Sequence, residues 1–236
     1  CGKNIFKSYG YLAGTDKERA EDINRMFADK EIDAIICYRG GYGCIRMANY
    51  LDLKTIKKNP KIFCGYSDIT LLLNYINKKC KFPTFHGPMI NSDFKDPLTR
   101  HYFTNILENI NEKITYDLKN ICNDNFKVYN SKDFKGKLVG GNLSIICSTI
   151  GTPYEIKFKN NILLIEEVNE SPYVIDRMLS QLICSGKLNN LQAIILGHFT
   201  NCTSNKSTLT LEEIIEEKLL PLNIPIIKHF PCGHDY

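Results

Sequence analysis

The stretch Lys61–Lys78, KIFCGYSDITLLLNYINK, decides the fold of this chain. Ile62-Phe63-Cys64 is a short run of β-formers that stops at Gly65. An amphipathic segment starts after Ser67-Asp68, so a strand hands over to a helix through a tight turn. Such a turn lifts a hydroxyl out of the carboxyl edge of a sheet, and the helix that follows turns unpaired N–H groups and its positive end toward any negative charge formed there. Ser67 is therefore a candidate nucleophile. Ser and Asp are also ordinary N-caps, and capping alone accounts for both residues.

The same rhythm continues on either side. Upstream, Thr15 or Asp16 caps a helix with the apolar face Ala20, Ile23, Met26 and Phe27, ending near Asp29-Lys30. The run Asp33–Tyr38 is nearly continuous in apolar residues, as a strand covered on both faces is. It enters Arg39-Gly40-Gly41-Tyr42-Gly43 and then a helix through Ile45, Met47, Ala48 and Leu51. Downstream, Phe82–Phe85 is extended and ends in His86-Gly87-Pro88. Strand, glycine turn and helix in repetition predict βαβ units and a parallel sheet, with the Arg39–Gly43 and Ser67 turns on one edge. The fold class is α/β.

Residues 91–132 form a polar connector with one helix, 97–111, and separate a lobe at 1–90 from a lobe at 133–236. In the second lobe, Gly136–Asn142 predicts a strand, a glycine turn and a helix capped by Asn142. Ile162–Ile165 is a strand ending in Glu166-Glu167, followed by a helix over 172–184 that Gly186 stops. Ala193–Gly197 is a further strand. Thr210 with Glu213 forms a capping box for a helix halted by Pro221, and Ile224–Phe230 leads to Cys232-Gly233-His234.

Composition excludes several classes. The 236 residues, 43% of them hydrophobic, suffice for one large core or two modest ones. Thirty basic residues stand against 26 acidic ones, a net charge of +4. The basic residues are scattered rather than striped, so nucleic acid is not expected as a partner. No run reaches the roughly 18 apolar residues that span a bilayer, and no signal peptide opens the chain, so neither is a membrane. The ten cysteines form no C-x-x-C pair and mostly sit in apolar runs, as reduced core thiols of a cytoplasmic protein do.

Serine hydrolysis needs a base, a carboxylate to orient it, and N–H donors where the oxyanion develops. His234 stands on a glycine-containing turn with no packing reason for a histidine. Glu166 ends an apolar strand, and Gly40-Gly41 permits a close backbone approach to Ser67. For each there is a plainer reading: a loop histidine, a solvated strand end, a βα turn. His86 and His198 are further candidates. No H-E-x-x-H or paired Cys/His spacing supports a metal, and the glycine turns match no P-loop, so no cofactor is expected.

In order, Ala13-Gly14-Thr15-Asp16 with Arg19-Ala20, Ala34–Gly43, Pro60-Lys61 with Gly65–Thr70, Phe85–Met89, Gly140–Ser144, Gly151-Thr152-Pro153, Ile165-Glu166-Glu167, Ile175-Asp176-Arg177 and Gly233-His234 resemble the LD-carboxypeptidase family. This family of serine peptidases includes muramoyltetrapeptide carboxypeptidase and the microcin C immunity hydrolases. The resemblance implies a Rossmann-like N-terminal lobe, a second α/β lobe containing a small barrel-like sheet, and a triad assembled across the cleft between them. It implies Ser67 as nucleophile, His234 as general base and acid, Glu166 as the residue orienting His234, and the backbone N–H groups of Asp68 and Gly41 as oxyanion donors. The implied substrate is a muropeptide or related peptide ending in D-alanine, and the implied assembly a homodimer. Two alternatives stay open: an amide hydrolase of peptidyl-nucleotide conjugates, and a non-catalytic α/β ligand-binding protein. Family members usually carry a strand and helix some tens of residues before Gly14 and a segment after the histidine, so both lobes read here as cut at their outer ends.

Overall fold

The computed structural model describes residues 1–91, 96–110, 112–122, 126–204 and 209–235. The chain divides into two compact units, Cys1–Asp93 with Thr149–Ile156, and Phe94–Ser148 with Lys157–Tyr236.

In the first unit Thr15 caps α1 (Asp16–Ala28) through a capping box with Glu18, as its S/T-x-x-E spacing predicts. Lys7, on the side chain of Glu18, and the Thr15 donors hold that carboxyl down at about 2. β1 (Ala34–Ile36) is shorter than the apolar run Asp33–Tyr38 predicts, and of its three residues only Ile35 is buried. It stands at one end of the sheet order β1-β2-β3, with a strand neighbour on one side only among the described residues. After the glycine loop come α2 (Cys44–Met47), a 3-10 turn over Ala48–Tyr50, and α3 (Leu53–Lys58). The sequence reading missed α3. Its signal is Asp52, whose carboxylate accepts from the N–H groups of Lys54 and Thr55. β2 (Ile62–Gly65), α4 (Thr70–Cys80) and β3 (Phe85–His86) complete the unit, and both strand pairings are parallel. Phe27, Ile56, Phe63, Leu72 and Ile76 fill its core. Each such side chain contributes about 1.5–3 kcal/mol by leaving water. The segment Thr149–Ile156 joins this unit through Tyr154, whose ring meets that of Tyr75 edge-on at 4.9 Å, and through Lys78, which donates to the Glu155 carbonyl at 2.8 Å.

The second unit opens with α5 (Pro97–Glu108), capped by Asp96. The Asn111 end expected for this helix lies outside the described residues. α6 (Leu118–Cys122) and β4 (Lys127–Tyr129) follow, both in sequence that reads as connector. Then come β5 (Leu138–Asn142), α7 (Leu143–Ser148), β6 (Ile162–Val168), α8 (Pro172–Cys184), β7 (Ala193–Thr200), α9 (Leu211–Leu219) and β8 (Ile226–Lys228). The sheet order is β4-β8-β7-β6-β5, parallel throughout except for β4, which runs antiparallel to β8. The molecule is thus α/β, with one parallel three-stranded sheet and one mixed five-stranded sheet. Gly140 and Gly141 are part of β5, not a turn after it. A Cβ on Gly140 would drive into the Leu164 carbonyl of β6, so glycine is required by strand spacing. Asn142 does cap the helix, its Oδ1 accepting from Ile145 N at 3.1 Å. Among the described residues no helix is long and apolar enough to cross a membrane.

Candidate active site

Ser67 follows β2 at φ 62°, the left-handed region that a non-glycine residue enters at a cost of about 1–3 kcal/mol. It opens a 3-10 turn, Ser67–Ile69, that runs into α4. Neither helical start has a side-chain cap. Ser67 and Asp68 therefore do not serve as caps of their own helix. The Asp68 carboxylate is buried and accepts instead from the backbone N–H of Cys44, at the start of α2, at 2.9 Å. Burial holds its pKa above the ordinary aspartate value.

That bond ties the glycine loop to the serine turn. From the other side Arg19 Nη2 donates to the Gly43 carbonyl at 2.9 Å while pairing with Asp16. So held, Gly40 lies against Ser67: a Cβ on Gly40 would sit 2.7 Å from Ser67 Cβ and 2.8 Å from Oγ. Gly41, at φ 120°, turns the corresponding position toward Arg39. Only glycine lets the loop pass this close to the hydroxyl.

In the second unit Glu166 and Glu167 are both buried within β6, not solvated at its end. Their neighbours separate them. Glu167 Oε1 accepts from Asn142 Nδ2 at 2.9 Å and Val168 N at 2.9 Å, and its Oε2 accepts from Ser144 N at 2.8 Å and Ser144 Oγ at 2.7 Å. It is a structural carboxylate that fastens α7 to the sheet. Glu166 has no exposed surface, and its Oε2 lies 2.7 Å from His234 Nδ1. Its Oε1 accepts no hydrogen bond among the described residues. With Nδ1–H donating to the carboxylate, Nε2 is the basic nitrogen of the ring.

The approach of His234 depends on an irregularity in the sheet. Ile165 pairs with Leu196 and Glu167 with Phe199, so two residues of β7, Gly197 and His198, oppose the single Glu166. At this bulge the terminal segment runs alongside β7: His198 N donates to the Cys232 carbonyl at 2.7 Å, and Phe230 N donates to the Leu196 carbonyl at 3.0 Å. A Cβ on Gly197 would strike the Cys232 carbonyl. Burial pushes the Cys232 thiol up to about 12, with Glu166 adding to the effect, which disfavours the thiolate. His198 pairs its Nδ1 with Asp235 at 3.1 Å. His86 ends β3 with its ring 6.1 Å from that of Tyr66.

The structure thus brings Glu166 to His234, and Gly40 to Ser67, within their respective units. Sequence reading missed the Asp68 bridge, the Arg19 clamp and the β7 bulge, none of which has a local pattern. Gly197 inside an apolar strand was the one available sign.

The LD-carboxypeptidase N-terminal domain matches residues 1–87 of this chain, and the LD-carboxypeptidase C-terminal domain matches residues 135–236. A Bacillus subtilis (strain 168) protein named "Probable murein peptide carboxypeptidase" is 39% identical over 99% of this chain and 73% of its own length. Among solved structures, muramoyltetrapeptide carboxypeptidase from Oxalobacter formigenes superposes with a TM-score of 0.79 at 29% identity, covering 96% of this chain and 78% of that one. MccF in complex with glutamyl sulfamoyl guanosine superposes with a TM-score of 0.86 at 27% identity, over 98% and 77%.

Proposed function

This chain belongs to the LD-carboxypeptidase family, and on that premise we propose that it is a serine carboxypeptidase that hydrolyses the L,D-amide bond to a terminal D-alanine of muropeptides, in cell-wall recycling. The observation that carries the reading is the 2.7 Å contact between His234 Nδ1 and the fully buried Glu166 carboxylate. An imidazole fixed in one tautomer by a carboxylate is the base that a serine nucleophile requires.

In this mechanism Ser67 Oγ attacks the carbonyl carbon of the scissile amide as His234 Nε2 takes its proton. Glu166 holds the ring through Nδ1 and stabilises the imidazolium that forms. The developing oxyanion accepts from the backbone N–H groups of Asp68 and Gly41, positions that reorganise little because the loop is already fastened. Collapse of the adduct breaks the C–N bond, and His234 returns the proton to the leaving D-alanine nitrogen. Water, deprotonated by the same histidine, then attacks the acyl-serine carbonyl, and His234 returns that proton to Ser67 Oγ as the acyl C–O bond breaks. In the same reading the enzyme works in the cytoplasm as a homodimer, without metal or cofactor and without binding nucleic acid or membrane.

The test is release of D-alanine from a defined tetrapeptide. Ser67→Ala lowers kcat by at least about 10³-fold with KM nearly unchanged, and adding His234→Ala to it lowers kcat no further, because residues acting as a unit are non-additive. EDTA leaves turnover intact. Near-native turnover in Ser67→Ala removes the serine reading. The likeness to MccF motivates the second arm, an aminoacyl sulfamoyl nucleoside as competing substrate: preferential cleavage of its amide moves the assignment to peptidyl-nucleotide conjugates.

A further inference from the structure

We propose that Arg39 holds the α-carboxylate of the peptide's terminal residue and so restricts the serine site to chain ends. This rests on the hydrolase reading above and supplies its specificity determinant. The end of β1 is pinned by Ile90 N donating to the Cys37 carbonyl at 3.0 Å and Asn91 N donating to the Tyr38 carbonyl at 3.1 Å. The next residue, Arg39, folds back along its own loop, with Nη1 donating to the Gly40 carbonyl at 3.3 Å. The two glycines then face two ways. A Cβ on Gly40 would lie 2.8 Å from Ser67 Oγ, and one on Gly41 would lie 2.9 Å from Arg39 Nη1. Hydroxyl and guanidinium therefore flank the same two bare residues.

Charge singles out Arg39 from its neighbours. Arg19 and Arg46 are both committed to Asp16, at 2.9 Å and 3.1 Å. Among the described residues Arg39 makes no ion pair, and it is exposed. A guanidinium has five donors in a planar fork, and one weak bond to a carbonyl leaves a face able to take a carboxylate in bidentate fashion. The chemistry sets the distance. In a substrate about to lose its last residue, only the amide nitrogen and one Cα separate the scissile carbon from the terminal carboxylate. The guanidinium lies against Gly41, the residue next to the one that touches the hydroxyl, and an internal peptide bond would present a neutral amide there instead.

The experiment compares two tetrapeptides that differ only at the C-terminus, free acid against carboxamide, with every other carboxylate retained. The native protein prefers the acid, and Arg39→Gln raises KM for the acid roughly 10- to 100-fold while leaving the amide within about threefold, so that the preference disappears. Arg39→Lys recovers part of it. Calorimetric titration of both peptides into Ser67→Ala and Ser67→Ala/Arg39→Gln reads the same difference without turnover. If the native protein releases D-alanine and the acid preference survives Arg39→Gln, or if acid and amide lose equally, the carboxylate role is overturned while the hydrolase reading stands. If the native protein neither cleaves nor binds either peptide, the hydrolase reading falls and this role with it.

Discussion

Two adjacent glutamates in one strand carry opposite duties, and substitution separates them. Glu167 satisfies four donors, including the Ser144 N–H and the Asn142 amide. Glu167→Ala leaves buried donors unpaired and lowers stability by about 3 kcal/mol or more, measured by denaturant unfolding. Glu166→Gln keeps the side chain's volume and an acceptor for His234 Nδ1–H, and so costs less stability than Glu167→Ala. It lowers kcat by about 10²-fold or more, because the imidazole loses its orienting charge. His234→Ala does both: it abolishes turnover and strands a buried carboxylate that has no other hydrogen bond among the described residues, at a cost of about 3 kcal/mol. Adding Glu166→Gln to His234→Ala removes the stranded charge and so recovers part of that stability and none of the activity. Equal stability of His234→Ala and the native protein would show that this carboxylate is not held by the histidine.

The short α2 has four residues and does not stand by its own hydrogen bonds. Asp68, 24 residues later, anchors its first N–H and so positions the glycine loop that precedes it. Burial raises the folded-state pKa of Asp68 above its unfolded value. Its contribution to stability is therefore full below the unfolded pKa of about 3.9 and is lost as pH rises through the folded pKa. Asp68→Asn keeps an acceptor for Cys44 N without the charge. Its stability relative to the native protein accordingly increases as pH is raised from about 3.9 and levels off above the folded pKa, which unfolding curves collected between pH 3 and pH 8 follow. A constant difference across that range would exclude the buried carboxylate as its source. At the other end of the chain, the Thr210 and Glu213 capping box holds α9. Thr210→Ala costs about 1 kcal/mol in the same measurement and leaves turnover unchanged.

The placement of His234 against Glu166 is a property of the folded chain. Gly197 sits where the terminal segment crosses β7, with its missing Cβ pointed at the Cys232 carbonyl and 3.1 Å from Glu166 Cβ. Gly197→Ala pushes that segment off the sheet by the width of a methyl group. Turnover falls by 10²-fold or more, since a displacement of about 1 Å at a catalytic group has that effect. The sheet itself persists in far-ultraviolet circular dichroism. Unaltered kcat in Gly197→Ala would mean that the terminal segment reaches Glu166 by another path.

Much of this was legible in the amino-acid order alone. The caps at Thr15, Asn142 and Thr210, the stop at Gly186, the strand, turn and helix alternation around Ser67 and the parallel first sheet depend on neighbours within a turn or two of sequence, where backbone geometry and periodicity act. The ordered motifs added the family. Other features depended on contacts between distant residues, which no local pattern encodes. The antiparallel β4 came out of polar sequence because β8 offered an edge to pair with. Gly140 and Gly141 became strand because Leu164 leaves no room for a side chain there. Asp68 left its own helix for Cys44, and the bulge at Gly197-His198 aligned Glu166 with a histidine 68 residues away. Pairing across such separations is set by which buried donors and acceptors meet once the sheets have formed, so packing, and not local propensity, chose these partners.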